Sequence, residues 1–493
     1  MRYRIFPSIG IARLGEDPNF FLAPERPGDD PGELKPDGTL TPVTRFKDAT
    51  RKKVRKQGAR FHIFESDDGT NWRPANLPAS ATVTWTVTLV NKKSAVTRPA
   101  EPPIAPVRPQ VLAANESMVI KGGAQNISGA GAASAPFIGP YATTAPNGTP
   151  FKVNVELGQL KTDGQGRLIV LGGKGFSSAP AGVPLGVFPN TYYRNPKWHD
   201  DVADGPVTAK IQLSPTSTPV MAEEGAWVVV GPPDYAPAIN CPVTLFDVIR
   251  QVGISDFGLP MPGVPSFDID IEPIIKRVRL LRWVHDDATW SDARLSSPKL
   301  RSRAPADKKL RTDVRDVILK VQKKFRGHTS SAGPSYQFRQ FQLKILDAWV
   351  AGDFDETPAA PGPGLTDIGL TRAALESAAG QGFCPGIEAG IIVLDKTLYT
   401  SPFDFRINHS SVSAGDLTAL MAQPWQADFL KCATEWWPTQ RPDIAPQDDE
   451  STEPWIRGAE DHKLLVERSA RLGFIVQKAA SEVFVEVERD PTL

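Results

Sequence analysis

Cysteine is nearly absent from this sequence, which has only Cys241, Cys384 and Cys432 in 493 residues. Three thiols cannot form a framework of disulfides, so the count argues against a small secreted scaffold. It favours a reducing compartment, or chemistry at a single thiol. A chain of this length buries a full core without covalent cross-links.

An excess of one charge and long apolar runs are lacking too. Lys plus Arg and Asp plus Glu both number 56, so no net field draws the protein to nucleic acid or to an anionic membrane. The opening MRYRIFPSIG has no apolar stretch of signal-peptide length, and no later run approaches a membrane span. We therefore expect cytoplasmic synthesis with no membrane or nucleic-acid partner, and export by a non-classical route stays open.

Motifs for metals and phosphates are also missing. The six histidines lack HExxH or CxxC spacing, so no metal site is expected. The stretch WHDD at 198–201 is better interpreted as a hydrogen-bonded loop than as a metal cluster, because neighbouring side chains rarely converge. The glycines of residues 164–175 fit neither the dinucleotide fingerprint nor the Walker pattern, and no GxSxG motif supports a serine hydrolase.

Strand patterns occupy the first half of the sequence. Residues 81–91, ATVTWTVTLVN, alternate Thr with apolar side chains, as a half-buried antiparallel strand requires. Further strands are predicted at 151–157, 167–173, 207–213 and 226–231. Residues 122–150 are rich in small and turn-forming residues and predict a coil or surface loop.

The hydrophobic period changes to that of a helix near residue 307. The apolar residues on one helical face are Leu310, Val314, Val317, Ile318, Val321 and Phe325. Residues 336–350 continue in this way, residues 357–364 predict a connector, and residues 459–476 predict a helix that runs into a strand. The prediction is an α+β fold: a β-rich N-terminal domain with antiparallel sheets (1–240), a mixed segment with amphipathic helices (241–356) and a C-terminal region that carries the site (357–493).

Tryptophans and acids cluster around the second and third cysteines. Three of the eleven tryptophans, Trp425, Trp436 and Trp437, lie within thirteen positions, close to Asp428 and Cys432. From composition alone, the apolar residues here would be core, and the Pro-Gly after Cys384 would be a turn.

Five segments resemble the L-lysine 6-oxidase and glycine oxidase family, in the same order along the chain. They are RIFPSIGIARLG (4–15), KTDGQGRLIVLGGKG (161–175), AWVVVGPPDYAP (226–237), FCPGIE (383–388), and PWQADFLKC with WWPTQRPD (424–432 and 436–443). Members of that family are quinoproteins. A cysteine and a tryptophan of one chain are joined by a thioether, and the indole is oxygenated to an ortho-quinone, cysteine tryptophylquinone.

The resemblance implies that Cys384 and Trp425 form this cofactor, with Trp437 as the runner-up tryptophan and no dissociable cofactor. A Cys-Pro-Gly turn on an apolar wall would hold the thiol in one direction. The indole of Trp425 would share a helix face with Asp428, three positions on.

Asp428 and Asp416 are the candidate bases. His409 is the candidate for binding a substrate carboxylate or for moving a proton. Simpler alternatives stay open: Asp416 fits a helix N-cap, His409 fits a hydrogen-bonded side chain, and Glu388 fits a residue that orients the turn.

The reaction implied is oxidative deamination of an amino acid or related primary amine by O2, with ammonia and hydrogen peroxide as products. The resemblance further implies a flavoprotein maturation partner and a homo-oligomer. Two alternatives are an oxidase of a carrier-bound or peptide amine, and a homologue that never matures and serves as a binding or scaffold protein. The family pattern has an acid shortly before the cofactor cysteine, whereas the nearest acid before Cys384 is Glu376, which favours the second alternative.

Overall fold

The computed structural model describes the chain except residues 99–105, 186–193, 325–336, 360–363, 381–388, 428, 430–438, 450 and 480. The strands of the described part are β1 (Arg2–Phe6), β2 (Ile9–Arg13), β3 (Asp17–Leu22), β4 (Gly32–Leu34), β5 (Leu40–Pro42), β6 (Arg55–Ser66), β7 (Arg73–Pro74), β8 (Thr82–Asn91), β9 (Ile120–Ser128), β10 (Ala133–Thr144), β11 (Pro150–Thr162), β12 (Leu168–Gly172), β13 (Ser177–Ser178), β14 (His199–Asp200), β15 (Ala203–Gln212), β16 (Val220–Met221), β17 (Ala226–Gly231), β18 (Ile444–Pro446), β19 (Thr452–Pro454), β20 (Phe474–Gln477) and β21 (Phe484–Val487).

The α-helices of the described part all follow residue 244. They are α1 (Leu245–Phe257), α2 (Glu272–Leu280), α3 (Lys308–Leu319), α4 (Val321–Lys324), α5 (Gln340–Ala351), α6 (Asp367–Glu376) and α7 (His462–Arg468). Short 3-10 segments connect several of them. The predicted α+β class, with a β-rich first half and a more helical second half, is confirmed.

Fifteen strands form one mixed sheet whose main path is β10-β11-β12-β6-β2-β17-β15-β8-β9. Most pairs are antiparallel, as predicted, but β2 pairs with β17 and β3 pairs with β6 in parallel. The sequence did not predict these parallel pairs, because side chains alternate between faces in both kinds of ladder.

The five predicted strands are present as β8, β11, β12, β15 and β17. In β8 and β15, Val87 lies opposite Val207, and both side chains are fully buried. Their neighbours Thr86 and Thr208 point the other way and keep partial exposure. The alternation thus places one face of this strand pair in the core.

The prediction of a coil at 122–150 was wrong, because β9 and β10 cover most of that range. These strands are the two ends of the sheet path, and they contact each other as the sheet curls round. A Cβ on Gly139 would lie 2.8 Å from Ile120 Cγ2 and from the backbone of Lys121. Small residues here permit the close approach of two strands, so they were not the sign of a loop.

The helical predictions are confirmed where the structure describes them. Residues 310–321 lie on α3 and α4, residues 340–350 lie on α5, and the late helix and strand are α7 and β20. Phe325 and part of the 357–364 connector lie outside the described residues. At α1, Thr244 Oγ1 accepts a bond from the Asp247 amide, and the Asp247 carboxylate accepts one from the Thr244 amide.

The predicted three-part division of the chain stays a prediction. One hydrophobic cluster contains Trp85, Ile275 and Trp425, one residue from each predicted part. Among the described helices, none is long and apolar enough to cross a membrane.

The close approach of β9 and β10 gives a first prediction. Gly139→Ala should lower the free energy of unfolding by about 1–3 kcal/mol, because the new methyl group overlaps the Lys121 backbone. Gly263→Ala is the matched control, since a Cβ there meets no heavy atom within 4 Å. Urea denaturation of both variants measures the effect, and equal stabilities would contradict this packing.

Candidate functional site

Trp425 lies in the protein interior with 2% of its surface exposed. Its backbone amide donates to Asp200 Oδ2 at 2.9 Å, and its ring packs edge-on against Phe429 with the ring centroids 5.1 Å apart. Within the described part of the chain, the buried indole Nε1 has no hydrogen-bond partner. Among the described residues, the indole is therefore held by packing and by its own backbone and not through its polar atom.

Asp200, which holds Trp425, forms a fully buried ion pair with Lys93. The two side chains are 0% and 1% exposed. Asn91 Nδ2 donates to Asp200 Oδ1 at 3.1 Å and to its backbone oxygen at 2.8 Å. Burial lowers the pKa of Lys93, and the carboxylate of Asp200 opposes that shift. Asp200 thus connects the end of β8 to the Trp425 segment.

Gln426, the residue after Trp425, binds the segment 175–177. Its Oε1 accepts from Ser177 Oγ at 2.8 Å, and its Nε2 donates to the Gly175 oxygen at 3.4 Å. Asp201 Oδ2 also binds this segment, because it accepts from the amides of Gly175 and Phe176 at 2.7 and 3.3 Å. The segment is therefore fixed between Asp201 and Gln426.

Asp204 is a second buried carboxylate that holds the C-terminal half to the sheet. Its Oδ1 accepts from Thr418 N and Oγ1 at 2.9 and 2.7 Å, and its Oδ2 accepts from Trp227 Nε1 and Gly415 N at 2.9 and 3.1 Å. Burial raises its pKa to about 6, and the donors from Thr418 and Trp227 oppose this shift. All four acceptor positions are used, so Asp204 is structural.

Two of the three predicted acid–base residues are in the described part, and neither contacts Trp425 there. Asp416 pairs with Lys92 at 2.6 Å and accepts from the Ser413 amide at 3.0 Å. It lies in a series of turns, so it caps a turn and not the helix that the sequence suggested. His409 lies against Trp227 with the ring centroids 5.2 Å apart, and although the residue keeps exposed surface, desolvation of the ring lowers its pKa.

The other predicted site residues lie outside the described residues: Cys384, Glu388, Asp428 and Trp437, together with Cys432 and Trp436. The roles predicted for them stay predictions.

The described ends of the chain on either side of these residues meet at one place. The Gly380 amide donates to the Val243 oxygen at 3.1 Å, and Cys241 Sγ lies 2.7 Å from Thr439 Oγ1. The Tyr235 amide donates to the Gln440 oxygen at 3.1 Å. Residue 380, before the undescribed residues 381–388, and residues 439–440, after the undescribed residues 430–438, therefore lie beside the same stretch, residues 235–244.

Glu376, the acid nearest before Cys384, is bound elsewhere. It pairs with Arg277 at 2.7 Å and with Arg372 at 2.8 Å, and Arg277 also pairs with Asp247 of α1 at 3.2 Å. Although burial acts in the opposite direction, the two arginines lower the pKa of Glu376. It is an ionised link between α1, α2 and α6.

The stretch 198–201 is hydrogen-bonded, as interpreted from the sequence, and partly forms β14. In the described part of the chain, no group of three or more His, Cys, Asp or Glu residues has a geometry that would hold a metal ion.

Comparison with known proteins identifies the family. Residues 6–230 match the family model of the L-lysine epsilon oxidase N-terminal region, and residues 330–453 match that of the L-lysine epsilon oxidase C-terminal domain. The chain belongs to the L-lysine epsilon oxidase family. The C-terminal match contains every predicted site residue from Cys384 to Trp437.

Individual relatives agree with this family. An L-lysine 6-oxidase from Marinomonas mediterranea is 28% identical over 538 aligned positions, which cover 88% of this chain and 72% of that protein. Crystal structures of the L-Lys epsilon-oxidase from Marinomonas mediterranea, one of them the Schiff base intermediate with L-Lys, have a TM-score of 0.79 at 23% identity. The structural match covers 99% of this chain and 95% of each crystallised chain, so the whole fold is shared. Membership in the L-lysine epsilon oxidase family supports an amino-acid oxidase, an oxidoreductase that acts on amines.

Sequence reasoning missed the carboxylates that shape this family member's site. Asp200, Asp201 and Asp204 occur within five positions in a segment that joins two predicted strands. Three acids so close to core strands indicate buried carboxylates that have hydrogen-bond or ionic partners, because burying a carboxylate without a partner costs too much free energy.

Loss of the buried ion pair gives a second prediction. Asp200→Asn should lower the free energy of unfolding by about 3–5 kcal/mol, because it leaves the Lys93 ammonium buried without its counter-ion. The control is Asp416→Asn, which removes the same charge from the neighbouring pair with Lys92, where both side chains are 15% exposed. That variant should lose about 1 kcal/mol. Chemical denaturation measures the free energy of unfolding of both variants. Similar losses of stability would contradict the role given to the buried Lys93–Asp200 pair.

The pKa of Asp201 gives a third prediction. Burial, with a contribution from Asp200, raises this pKa from 3.8 to about 7. Since the folded state then holds a proton that the unfolded state has released, stability falls as the pH rises from about 4 to about 7. From about pH 5 to about pH 8, this group should remove about 2–3 kcal/mol from the free energy of unfolding. Asp201→Asn should remove that part of the pH dependence, and an unchanged slope in the variant would show that Asp201 does not titrate there.

Proposed function

We propose that this protein oxidatively deaminates a primary amine, carried by an amino acid or related compound, and uses O2 with release of ammonia and hydrogen peroxide. The observation that carries the proposal is the match of one chain to both the N-terminal and the C-terminal models of the L-lysine epsilon oxidase family. The relative from Marinomonas mediterranea is named L-lysine 6-oxidase, and its crystal structure with L-Lys is that of a Schiff base intermediate.

The proposed resident cofactor is cysteine tryptophylquinone, made from a cysteine and a tryptophan of this chain. Such an ortho-quinone supplies the electron sink for oxidation of the amine. Trp425 fits one half of it, because its indole is buried and held by its backbone and by Phe429, and its Nε1 bonds to none of the described residues. Cys384 is the proposed other half. It comes four positions after Gly380, whose amide donates a hydrogen bond to the Val243 oxygen.

A second pairing, Cys432 with Trp437, is proposed beside the first. The family resemblance implies an acid shortly before the cofactor cysteine. Asp428 precedes Cys432 by four positions, whereas Glu376 precedes Cys384 by eight and is bound to two arginines. This observation favours Cys432, while the buried position of Trp425 favours the first pairing.

The proposed acid–base roles differ in how the structure supports them. Asp428 is the proposed base for removing the proton from the substrate carbon beside the nitrogen. Asp416 is less suited to that role, because Lys92 and the Ser413 amide occupy its carboxylate. His409 has a lowered pKa and is neutral near neutral pH, so it suits transfer of a proton better than attraction of a carboxylate.

The remaining sequence predictions become part of this proposal. They are a flavoprotein that matures the cofactor, a homo-oligomer, and cytoplasmic synthesis. A carrier-bound or peptide amine is the alternative substrate. A non-maturing homologue with a binding role is the alternative to catalysis, and the ion-paired state of Glu376 favours it only if Cys384 is the cofactor cysteine.

The proposed cofactor gives a fourth prediction. It is tested by mass spectrometry of the protein after co-expression with the flavoprotein encoded nearest to its gene. The intact protein should have two more oxygen atoms and four fewer hydrogen atoms than the sequence requires, and it should absorb visible light. Peptide mapping should find one cysteine cross-linked to one tryptophan. The matched variants Cys384→Ser and Cys432→Ser identify the cysteine, because only one of them should lose the cross-link and the release of peroxide from a panel of amines.

An unmodified mass in the presence of the flavoprotein, with both thiols open to alkylation, would overturn the quinone proposal. Formation of the cross-link without peroxide release from free amino acids would favour a carrier-bound or peptide amine.

A further inference from the structure

The side chains around Trp425 hold it through two adjacent aspartates. Asp200 accepts a bond from the Trp425 amide, as described above. Asp201 does not reach Trp425 directly, but it binds the segment 175–177 on which the next residue, Gln426, is docked. Strand β13 of that segment pairs with β14, with Ser177 opposite Asp200.

The hydrogen bonds on this segment come from two side chains, Asp201 and Gln426. Asp201 accepts from the amides of Gly175 and Phe176, whereas Gln426 donates to the oxygen of Gly175 and accepts from the hydroxyl of Ser177. Two side chains thus bind different groups of one short segment. Its position, and through Gln426 that of Trp425, depends on both side chains.

The space around Asp201 allows little adjustment. A Cβ on Gly173 would lie 2.6 Å from Asp201 Oδ2, so the chain passes the carboxyl group at close range. Asp201 is 2% exposed, and its Oδ1 has no hydrogen-bond partner in the described part of the chain. A buried oxygen without a donor is costly, and such a group persists where its other bonds are needed.

The charged groups that surround Asp201 come from three elements. Burial and, after it, Asp200 raise the pKa of Asp201. Burial lowers the pKa of Lys93, beyond the end of β8, and of Lys56 on β6, and the Asp201 carboxylate opposes both shifts. Lys93 is paired with Asp200, and Lys56 donates to the Gly172 oxygen at 2.7 Å and lies 3.7 Å from Glu156. Both ammonium groups therefore have nearer partners than Asp201.

We propose that Asp201 is a positioning residue for Trp425, acting through the segment 175–177 and Gln426. Its role in turnover rests on the proposed oxidase function. Its role in holding the Trp425 segment does not, and this difference allows the two proposals to fail separately.

An asparagine should replace Asp201 in this role, whereas an alanine should not. The side-chain oxygen of Asn can accept from the same two amides, and its amino group takes the place of the oxygen that has no donor. The control is Asp490→Asn. Asp490 is also buried and accepts from Thr492 N and Oγ1 through one oxygen, but it lies near the C-terminus. Its other oxygen lies 3.7 Å from Arg471 Nε and has no hydrogen-bond partner in the described part of the chain.

Hydrogen exchange followed by mass spectrometry tests the positioning role, and it does not require a mature cofactor. In the full-length protein, Asp201→Ala should lose amide protection in residues 175–178 and 423–427. Asp201→Asn should keep it, and Asp490→Asn should leave both segments as in the parent. Equal protection in the alanine and asparagine variants would overturn the inference.

Kinetics of the holoenzyme provide the second readout. Asp201→Ala should lower kcat about 10- to 100-fold with a smaller change in KM, because a misplaced reacting group costs turnover more than binding. Asp201→Asn should restore kcat to within about threefold of the parent. Retention of the parental kcat by the alanine variant would overturn the link to turnover. If the unsubstituted protein has no cross-linked cofactor, the proposed function is overturned. Hydrogen exchange then tests the positioning role of Asp201 by itself.

Discussion

The candidate site depends on the buried ion pair between Lys93 and Asp200. Water is excluded from both side chains, and a charge in such a place is tolerated only with a complete set of partners. The partners of Asp200 include the side-chain amide of Asn91 and the backbone amide of Trp425, so the carboxylate connects the end of β8 to the C-terminal half. Any other placement of the Trp425 segment would remove one of the donors that Asp200 Oδ2 accepts from.

Asp204 repeats the same arrangement four residues later. It takes donors from Trp227 of the sheet and from Gly415 and Thr418 of the segment before Trp425. Two carboxylates of one stretch therefore align the C-terminal half on the sheet. Trp425 is held beside the strands by Asp200, and in the sequence the cysteines and acids proposed to react lie around 384 and at 428–437. A fixed position is what a reaction between oriented groups requires.

Much of the fold could be predicted from local pattern. The alternation in residues 81–91 and the helical period after residue 307 each describe one face of one element, and both predictions were right. The stretch 122–150 was misinterpreted, because small residues are common both in loops and where two strands approach closely, as at Gly139. Only the neighbours distinguish these cases. The role of Asp416 could not be predicted from its neighbours in sequence either, because its ion pair with Lys92 joins residues 324 positions apart.

Residue order and local period were enough to predict the α+β class, most of the strands and helices, and the resemblance to a family of oxidases. They also placed Trp425 in a cluster of tryptophans. What surrounds that tryptophan could be learned only from the folded chain. Lys93 and Asp200 are 107 positions apart, and Asp200 and Trp425 are 225 apart. Burial and pKa are set by such distant neighbours, so no local pattern in the sequence could assign the buried carboxylates their partners.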